Sequence, residues 1–524
     1  MATAMLPSPT LRQNTHPVGE PTVGVPVGHG DTFPVRTAGG IFHVRYDPDA
    51  RVSATGGVVP FAQFLAASRL FTEWVAEAPL SYASNRAHEV TDVLGTLMLS
   101  ILNGHYRFAH VAALRGDTVT PGLLGMRRMV SEDSVRRALS RLVETSDGSA
   151  ITMSWLRRHL RKTLEPLLTQ EWVLDVDVTI KPVYGYQPGS VVGYNPMKPG
   201  RPSHALHSFV MAQTRLVLDV AVHPGNEHTS KSTIPDFQAL FVDLPKPLWP
   251  KFVRGDSGFG NEEMMVWPEA NGLDYLFKQR MTTRTRALVQ EIDLTEGWVE
   301  AGQGWQGKSA TLKLSTWSRE RRVIVLRRRD PGPRYARAKD QKRKQPDQAV
   351  IESCLPYLIE QDFEHQVLVT SLNDDIPTIA QYYRDRADAE NVFDEIKNHW
   401  GWGGFTSRTF DVTRAVARIT TLIYNWWSLF VRIADPNHHR EAITSRPTLL
   451  HSIARLTTSG GQRTLTITST NGDKNAISSF FARLGAWLNE FIASTEQWTF
   501  GRRWLALLKA IFPGPFGVLV PSTT

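Results

Sequence analysis

The sequence predicts an α/β fold: a mixed sheet with helices on its faces, interrupted by a strand-rich block and flanked by helical N- and C-terminal regions. Three observations predict it. Residues 60–170 follow helical spacing, with Val93, Leu94, Leu97, Met98 and Ile101 on one stripe. From Trp172 the period changes to strands, and the order becomes strand, strand, strand, helix, strand, helix, strand. A basic, strand-like block over 284–375 then separates this sheet from a strongly helical segment, Pro377 to Trp400.

Taken in order, residues 1–58 are rich in Pro, Gly and Thr and read as a flexible arm. Residues 59–170 form a helical region in which Ser131 caps a helix through Val143 that exposes Arg136, Arg137 and Arg141. A compact helix-turn-helix fits this pattern, and so does a plain bundle with solvated arginines. Over 171–283, strands are expected at Trp172 to Thr179, His204 to Gln213, Leu216 to His223, Lys251 to Gly255 and Asp274 to Lys278. Helices are expected at Ile234 to Leu244 and Asn261 to Asn271. The block 284–375 carries the basic run Arg319 to Lys344, which taken alone has the composition of a solvated loop. Residues 376–434 return to helix, and 435–524 hold two helical patterns around a short strand, Arg463 to Thr468.

Lys and Arg outnumber Asp and Glu by 59 to 51, for a net charge of +8, which suits a nucleic-acid partner without requiring one. Cys354 is the only cysteine, which excludes an intramolecular disulfide and a multi-cysteine zinc site and fits a reducing cytosol. The longest apolar run, Ile419 to Ile433, is cut by Asn425 and Arg432 and reads as a buried helix, so no membrane partner is expected. The start of the chain lacks a basic segment followed by an apolar one, which predicts no secretory signal.

The chemistry rests on carboxylates. In the strand Trp172 to Thr179 the residues alternate, so Asp175 and Asp177 share one face while Leu174, Val176 and Val178 point the other way. Two acids on one face of an otherwise apolar strand are costly unless paired or bound to a cation. Asp256 ends the strand Lys251 to Gly255 and precedes Ser257-Gly258, where small residues leave room for a ligand; a turn or capping role is the simpler alternative. In a continuous helix over Gln381 to His399, Tyr383, Arg386, Glu390 and Lys397 fall within about 60° of arc. Val392, Phe393 and Ile396 fill the adjoining arc. Glu390 then sits at the edge of a buried face, with Asp394 as the nearest alternative carboxylate. Arg386 and Glu390 also form an ordinary i,i+4 surface pair.

Three carboxylates from two strands and a distant helix suit a two-Mg²⁺ site for in-line displacement at phosphorus. No histidine pattern competes, because His204 and His207 are three apart in a strand and face opposite ways. Neither a phosphate-binding Walker loop nor a dinucleotide glycine fingerprint is present.

These residues resemble the catalytic core of bacterial insertion-sequence DDE transposases. Tyr383, Arg386, Glu390 and Lys397 match the Y-(2)-R-(3)-E-(6)-K motif of that clan at all four positions. The segment Asp175 to Gly185 is similar to the D-x-T-x-K-P-x-Y-G segment of insertion-sequence group thirteen-eighty. Gly193 to Ser203, Pro224 to Ser230 and Arg254 to Phe259 resemble further segments of the same group in the same order. The resemblance spans about Trp172 to Trp400 and implies an RNase H-like catalytic domain, in two parts (171–283 and 376–434), interrupted by a β-rich insertion domain (284–375). It assigns catalysis and metal binding to Asp177, Asp256 and Glu390, with Asp175 behind them. The cofactor implied is Mg²⁺, two ions, with Mn²⁺ able to substitute.

The partners implied are double-stranded DNA, as terminal inverted repeats and target, and a second copy of the chain on that DNA. The place of action implied is the bacterial cytoplasm, at the nucleoid. DNA contacts are expected from Tyr383, Arg386, Lys397 and Arg254, from the helical region 59–170, and from the basic block folded over the site. Trp305, in Gly304-Trp-Gln-Gly307, is read as a protruding indole that stacks on an unpaired base, or alternatively as cover for the local core; Trp317 is read as core. A nuclease of the same fold and a catalytically silent DNA-binding derivative are the rival functions.

Overall fold

The computed structural model describes residues 32–84, 86–193, 195, 198–227, 229–242, 244–329, 363–402, 404–405, 407–435, 440–468 and 474–512. Residues 1–51 and 52–524 are two compact units. The described part of the first is not a structureless arm. It is a hairpin of β1 (Phe33–Thr37) and β2 (Gly40–Val44), whose turn uses Gly40 at φ +112°.

The second unit begins with β3 (Val52–Ser53) and a series of helices, among them Val58–Ser68, Leu70–Ala76, Val90–Leu102, Glu132–Leu142 and Ser146–Leu164. Ser131 caps Glu132–Leu142 as its sequence predicts, its hydroxyl accepting from the Ser134 amide at 3.3 Å. The strands β4 (Val173–Pro182), β5 (Val191–Val192), β6 (Pro202–Met211) and β7 (Leu216–Pro224) follow. Then come β8 (Phe252–Gly255) and β9 (Asp274–Lys278), after the helices Thr229–Val242 and Glu262–Asn271 respectively.

β4 lies at the centre, antiparallel to β6 and parallel to β8; β6 pairs antiparallel with β7, and β8 parallel with β9. Parallel neighbours need a crossover, and the helices Thr229–Val242 and Glu262–Asn271 lie in those connections. The strands of the basic block, β10 (Val299–Gly302), β11 (Trp305–Leu312), β12 (Arg321–Arg329) and β13 (Phe363–Thr370), do not form a sheet of their own. They extend the same sheet, because β13 pairs antiparallel with β9, giving ten strands among the described residues. The block thus lengthens the sheet sideways, which corrects the expectation of a module folded over the acids.

The long helix Phe410–Ala434 is buried along most of its length, as the apolar run predicts, and packs on β7 and on Ser146–Leu164. Asn425 explains why that run carries an amide. Its Oδ1 accepts from the Val217 amide at 2.9 Å, and its Nδ2 donates to the Val217 carbonyl at 2.8 Å. Trp426 meets Trp74 edge-on, and Trp74 stacks on Trp155, so the N-terminal helices share one core with the sheet. Near the C-terminal end, β14 (Ala454–Ser459) and β15 (Gln462–Ile467) make a hairpin that pairs with β3. Sequence periodicity anticipates the second of these strands only. None of the described helices is long and apolar enough to cross a membrane.

The described part of the basic run, Arg319 to Arg329, is held mostly by the protein's own groups. Arg321, 4% exposed, donates to Glu262 at 2.5 Å and to Glu269 at 2.7 Å. Arg319 also reaches Glu269, Arg327 pairs with Asp293 and covers the Trp298 ring, and Arg328 pairs with Glu364. Arg334 to Lys344 lie outside the described residues. Trp305 is 7% exposed and begins β11, with Arg328 over its ring at 4.7 Å. The protruding indole is corrected: the turn is made by Gly302 to Gly304, one step earlier, and Trp305 covers the local core. Trp317 is buried beneath Arg321, as read from its strand-like context.

Glu269 supplies a pH test of this cluster. Burial opposes its charge, but Arg321, Arg319 and the Tyr275 hydroxyl prevail and pull its carboxyl down to about 2. A depressed folded pKa gives stability that is present above the unfolded value of about 4.3 and is lost as pH falls through the folded one. The melting temperature of the wild type should therefore drop between about pH 5 and pH 2, and Glu269→Gln should flatten that slope. An equal slope in both proteins would show that the cluster contributes nothing.

Candidate active site

The parallel register of β4 and β8 places the acids. Asp175 is opposite Arg254 and Val176 opposite Gly255, so Asp177 and Asp256 come next, side by side where β8 ends. Gly255 permits this approach, since a Cβ there would lie 2.9 Å from both Val176 and Phe259. Beyond it, the Asp256 carboxylate accepts from the Gly258 amide at 2.8 Å, a local turn that holds it at the strand end.

Arg254 and Asp175 are paired in the interior. Nε donates to Oδ1 at 2.5 Å and Nη2 to Oδ2 at 2.7 Å, a two-pronged contact between side chains that are each almost fully buried. The third donor, Nη1, binds the Tyr382 carbonyl. Arg254 is thus out of reach of a duplex, which corrects its expected DNA contact. Its guanidinium is used up in joining β4, β8 and the helix Ile376–Arg384.

The segment read as one helix is two, Ile376–Arg384 and Ala387–His399, broken at Asp385-Arg386. The single stripe from Tyr383 to Lys397 is therefore interrupted after Tyr383. Asp375 caps the first helix, its carboxylate accepting from the Thr378 amide at 3.0 Å. Tyr382 docks it on β8 by packing against Phe252 at 5.0 Å. Arg386 stands at the break, 6% exposed, and reaches two of the acids at once. Nη2 donates to Asp177 Oδ1 at 3.2 Å and Nη1 to Glu390 Oε1 at 2.6 Å.

Burial pushes the Asp177 carboxyl up to about 7; Arg386 opposes this, while Asp256 and Glu390 add to it. Burial likewise pushes the Tyr383 phenol up to about 12, again with Arg386 opposing and Asp256 and Glu390 adding. Asp177, Asp256, Glu390, Tyr383 and Arg386 therefore form one electrostatic group. Glu390 lies at its open side with 63% of its side chain exposed. Lys397 and Asp394 are exposed further along the same helix. The neighbouring Glu395 faces inward and accepts from the Trp400 indole and the Ala442 amide, a structural role.

Three carboxylates, one of them short of compensating charge, make an oxygen-only donor set of the kind a hard divalent cation takes. Arg386 is the partner that sequence spacing did not reveal in full. The i,i+4 link to Glu390 is readable, but its reach to Asp177 requires the break in the helix.

The buried pair gives a second test. Arg254→Met leaves the buried Asp175 carboxyl without its partner and should cost about 3–5 kcal/mol in stability. Adding Asp175→Leu should recover much of that loss in chemical denaturation. A single variant as stable as the wild type would mean that the pair does not hold the strands together.

No curated protein matches the chain in sequence. Among solved structures it is similar to a piggyBac transposase in a synaptic complex with hairpin DNA, seen by cryo-EM. The identity is 12% and the TM-score 0.37, over 94% of this chain and 89% of that one. The model of one protein family matches residues 44–487, and the chain belongs to that family, Transposase DDE domain group 1.

Proposed function

We propose that this chain is a metal-dependent DDE transposase that cleaves and rejoins DNA at the ends of a bacterial insertion sequence, with Asp177, Asp256 and Glu390 as the catalytic carboxylates. The observation that carries this reading is the β4–β8 register, which sets Asp177 beside Asp256, together with Arg386, which ties Glu390 to Asp177. An RNase H-like fold is supported by the strand order β7-β6-β4-β8-β9, in which the first three are antiparallel and the last two join β4 in parallel.

The three acids would hold two Mg²⁺ ions, or Mn²⁺ in their place. Such ions supply activation of the attacking oxygen and stabilisation of the leaving oxygen in an in-line displacement at phosphorus. The protein's own groups do the rest. Arg386 keeps two like-charged carboxylates close enough to share a ligand. Tyr383, its phenol pushed up to about 12 by burial, stays protonated at neutral pH and can donate a hydrogen bond to a phosphate oxygen. Lys397, exposed on the helix that bears Glu390, offers a charge to the DNA backbone. The substrate is double-stranded DNA, as terminal inverted repeats and target, and two copies of the chain would hold the two ends in the cytoplasm at the nucleoid.

The experiment uses the full-length protein with Mg²⁺, end-containing DNA and a target plasmid. Asp177→Asn, Asp256→Asn and Glu390→Gln should each abolish cleavage while leaving end binding within a few-fold, since affinity comes mainly from cations on phosphates. Ca²⁺ should support binding without cutting. Robust cleavage by Glu390→Gln would sink the assignment and move it to Asp394. Nicking with no joined product from the wild type would mark a nuclease instead.

Lys397→Ala should slow turnover and lower the salt dependence of binding by about one counterion. An unchanged rate and salt slope would make Lys397 an ordinary surface charge.

A further inference from the structure

The sheet has a second cluster of ligand-bearing side chains, on the face away from the acids. In the β4–β6 register Asp177 is opposite Ser208 and Val178 opposite His207, so His207 and Asp177 point to opposite faces. On β7, Ala221 is opposite His207 and His223 opposite Ala205. His207 and His223 are therefore diagonal neighbours on one face, with ring centroids 4.6 Å apart. The helix Thr229–Val242 packs there and adds Asp236. One ligand atom from each of His207, His223 and Asp236 lies within 4.8 Å of the other two, and no other such group occurs among the described residues.

Each histidine has its Nδ1 held by an outer partner. The His207 Nδ1 is 2.8 Å from the Thr233 hydroxyl, and the His223 Nδ1 is 3.1 Å from Glu227 Oε2. A metal-binding histidine is usually fixed in this way, by a hydroxyl, carbonyl or carboxylate on the nitrogen that does not bind. The other nitrogens, the two Nε2 atoms, are the ones that can face a cation. His207 Nε2 is buried and has no hydrogen-bond partner among the described residues, in a residue that is 0% exposed. With Nδ1–H donated to Thr233, this Nε2 carries a bare lone pair. His223 Nε2 faces Asp236 Oδ2 at 2.5 Å.

We propose that His207, His223 and Asp236 form a binding site for one divalent cation of the zinc type, separate from the carboxylate site and independent of the reading given for it. The ion takes the place of the proton between His223 Nε2 and Asp236 Oδ2 and releases it to solvent. Those two atoms must part to about 3.3 Å, the edge of a tetrahedron with bonds of about 2.0–2.1 Å, a shift of less than about 1 Å. Two imidazoles and one carboxylate favour Zn²⁺, Co²⁺ or Ni²⁺ over Mg²⁺. Arg157 lies 3.6 Å from the other Asp236 oxygen and orients that carboxylate. The bound ion would pin the helix Thr229–Val242 to β6 and β7, behind the strand that carries Asp177.

The test is titration of metal-stripped, full-length protein with Co²⁺, followed by competition with Zn²⁺. One equivalent of Co²⁺ should bind with visible absorption and be displaced by Zn²⁺, and the protein should melt at a higher temperature with Zn²⁺ than after chelation. Asp256→Asn should keep this equivalent, and His223→Gln should lose it. Thr233→Ala, which removes no ligand, should weaken it about 10- to 100-fold. Circular dichroism of each variant separates loss of the site from loss of the fold. The proposal is overturned if the wild type binds no Co²⁺ or Zn²⁺, or if Asp256→Asn abolishes all of it. It is equally overturned if folded His223→Gln and Thr233→Ala bind as the wild type does.

Discussion

The arrangement of this protein depends on one buried contact, the guanidinium of Arg254 between Asp175 and the Tyr382 carbonyl. A buried ion pair repays its desolvation only when the geometry is good and the remaining donors are satisfied. Here two donors go to one carboxylate and the third to a backbone carbonyl. The pair joins neighbouring positions of parallel strands, so it fixes their register, and register decides which residues follow at the strand ends. A slip of one residue would leave Arg254 opposite an apolar side chain and separate Asp177 from Asp256. The same guanidinium anchors the end of the helix Ile376–Arg384, from which the chain passes through Arg386 to Glu390. Three chain segments far apart in sequence are thus brought together by a residue that itself stays away from solvent.

Much of this arrangement is legible in the sequence. Strict alternation in Val173 to Thr179 marks the central strand and puts Asp175 and Asp177 on one face, because strand geometry alone requires it. Strands β6 to β9 and the capped helix after Ser131 follow from the same local patterns. What escaped was set by contacts between segments. The helix break at Asp385-Arg386 has no proline or glycine to announce it, and both residues keep near-helical dihedral angles. The strand Ala454–Ser459 is recognisable only through its partners, Gln462–Ile467 and Val52–Ser53. Strand parity separates His204 from His207, but parity within one strand cannot show that His207 meets a histidine on the next.

Charge is distributed differently from what composition suggests. A net charge of +8 and a run of arginines invite a reading as a DNA-binding surface. Yet Arg319, Arg321, Arg327 and Arg328 of that run are matched to Glu262, Glu269, Asp293 and Glu364, the last three also lying over Trp317, Trp298 and Trp305, and Arg322 donates to the Leu372 and Asp374 carbonyls. A buried arginine with two carboxylates binds strands to helices; it is not free to release counterions from a duplex. Among the described residues, cations at the surface such as Lys397 remain available.

The two faces of the sheet then divide the ionisable groups by kind. On one face, β4, β8 and the helix Ala387–His399 bring together carboxylates, with Arg254 bound to Asp175 and Arg386 bound to Asp177 and Glu390. On the other, β6, β7 and the helix Thr229–Val242 bring together two imidazoles and the Asp236 carboxylate. Hard oxygen donors prefer cations that stay partly hydrated and exchange readily, which suits a site that must admit a phosphate. Imidazole nitrogens prefer cations that bind tightly and define an angle, which suits a fixed point in the fold. Because adjacent residues of a strand face opposite ways, Asp177 and Val178 suffice to keep the two environments apart. Each face has its own electrostatic requirement, and the sheet between them lets both be met without either drawing on the other's ligands.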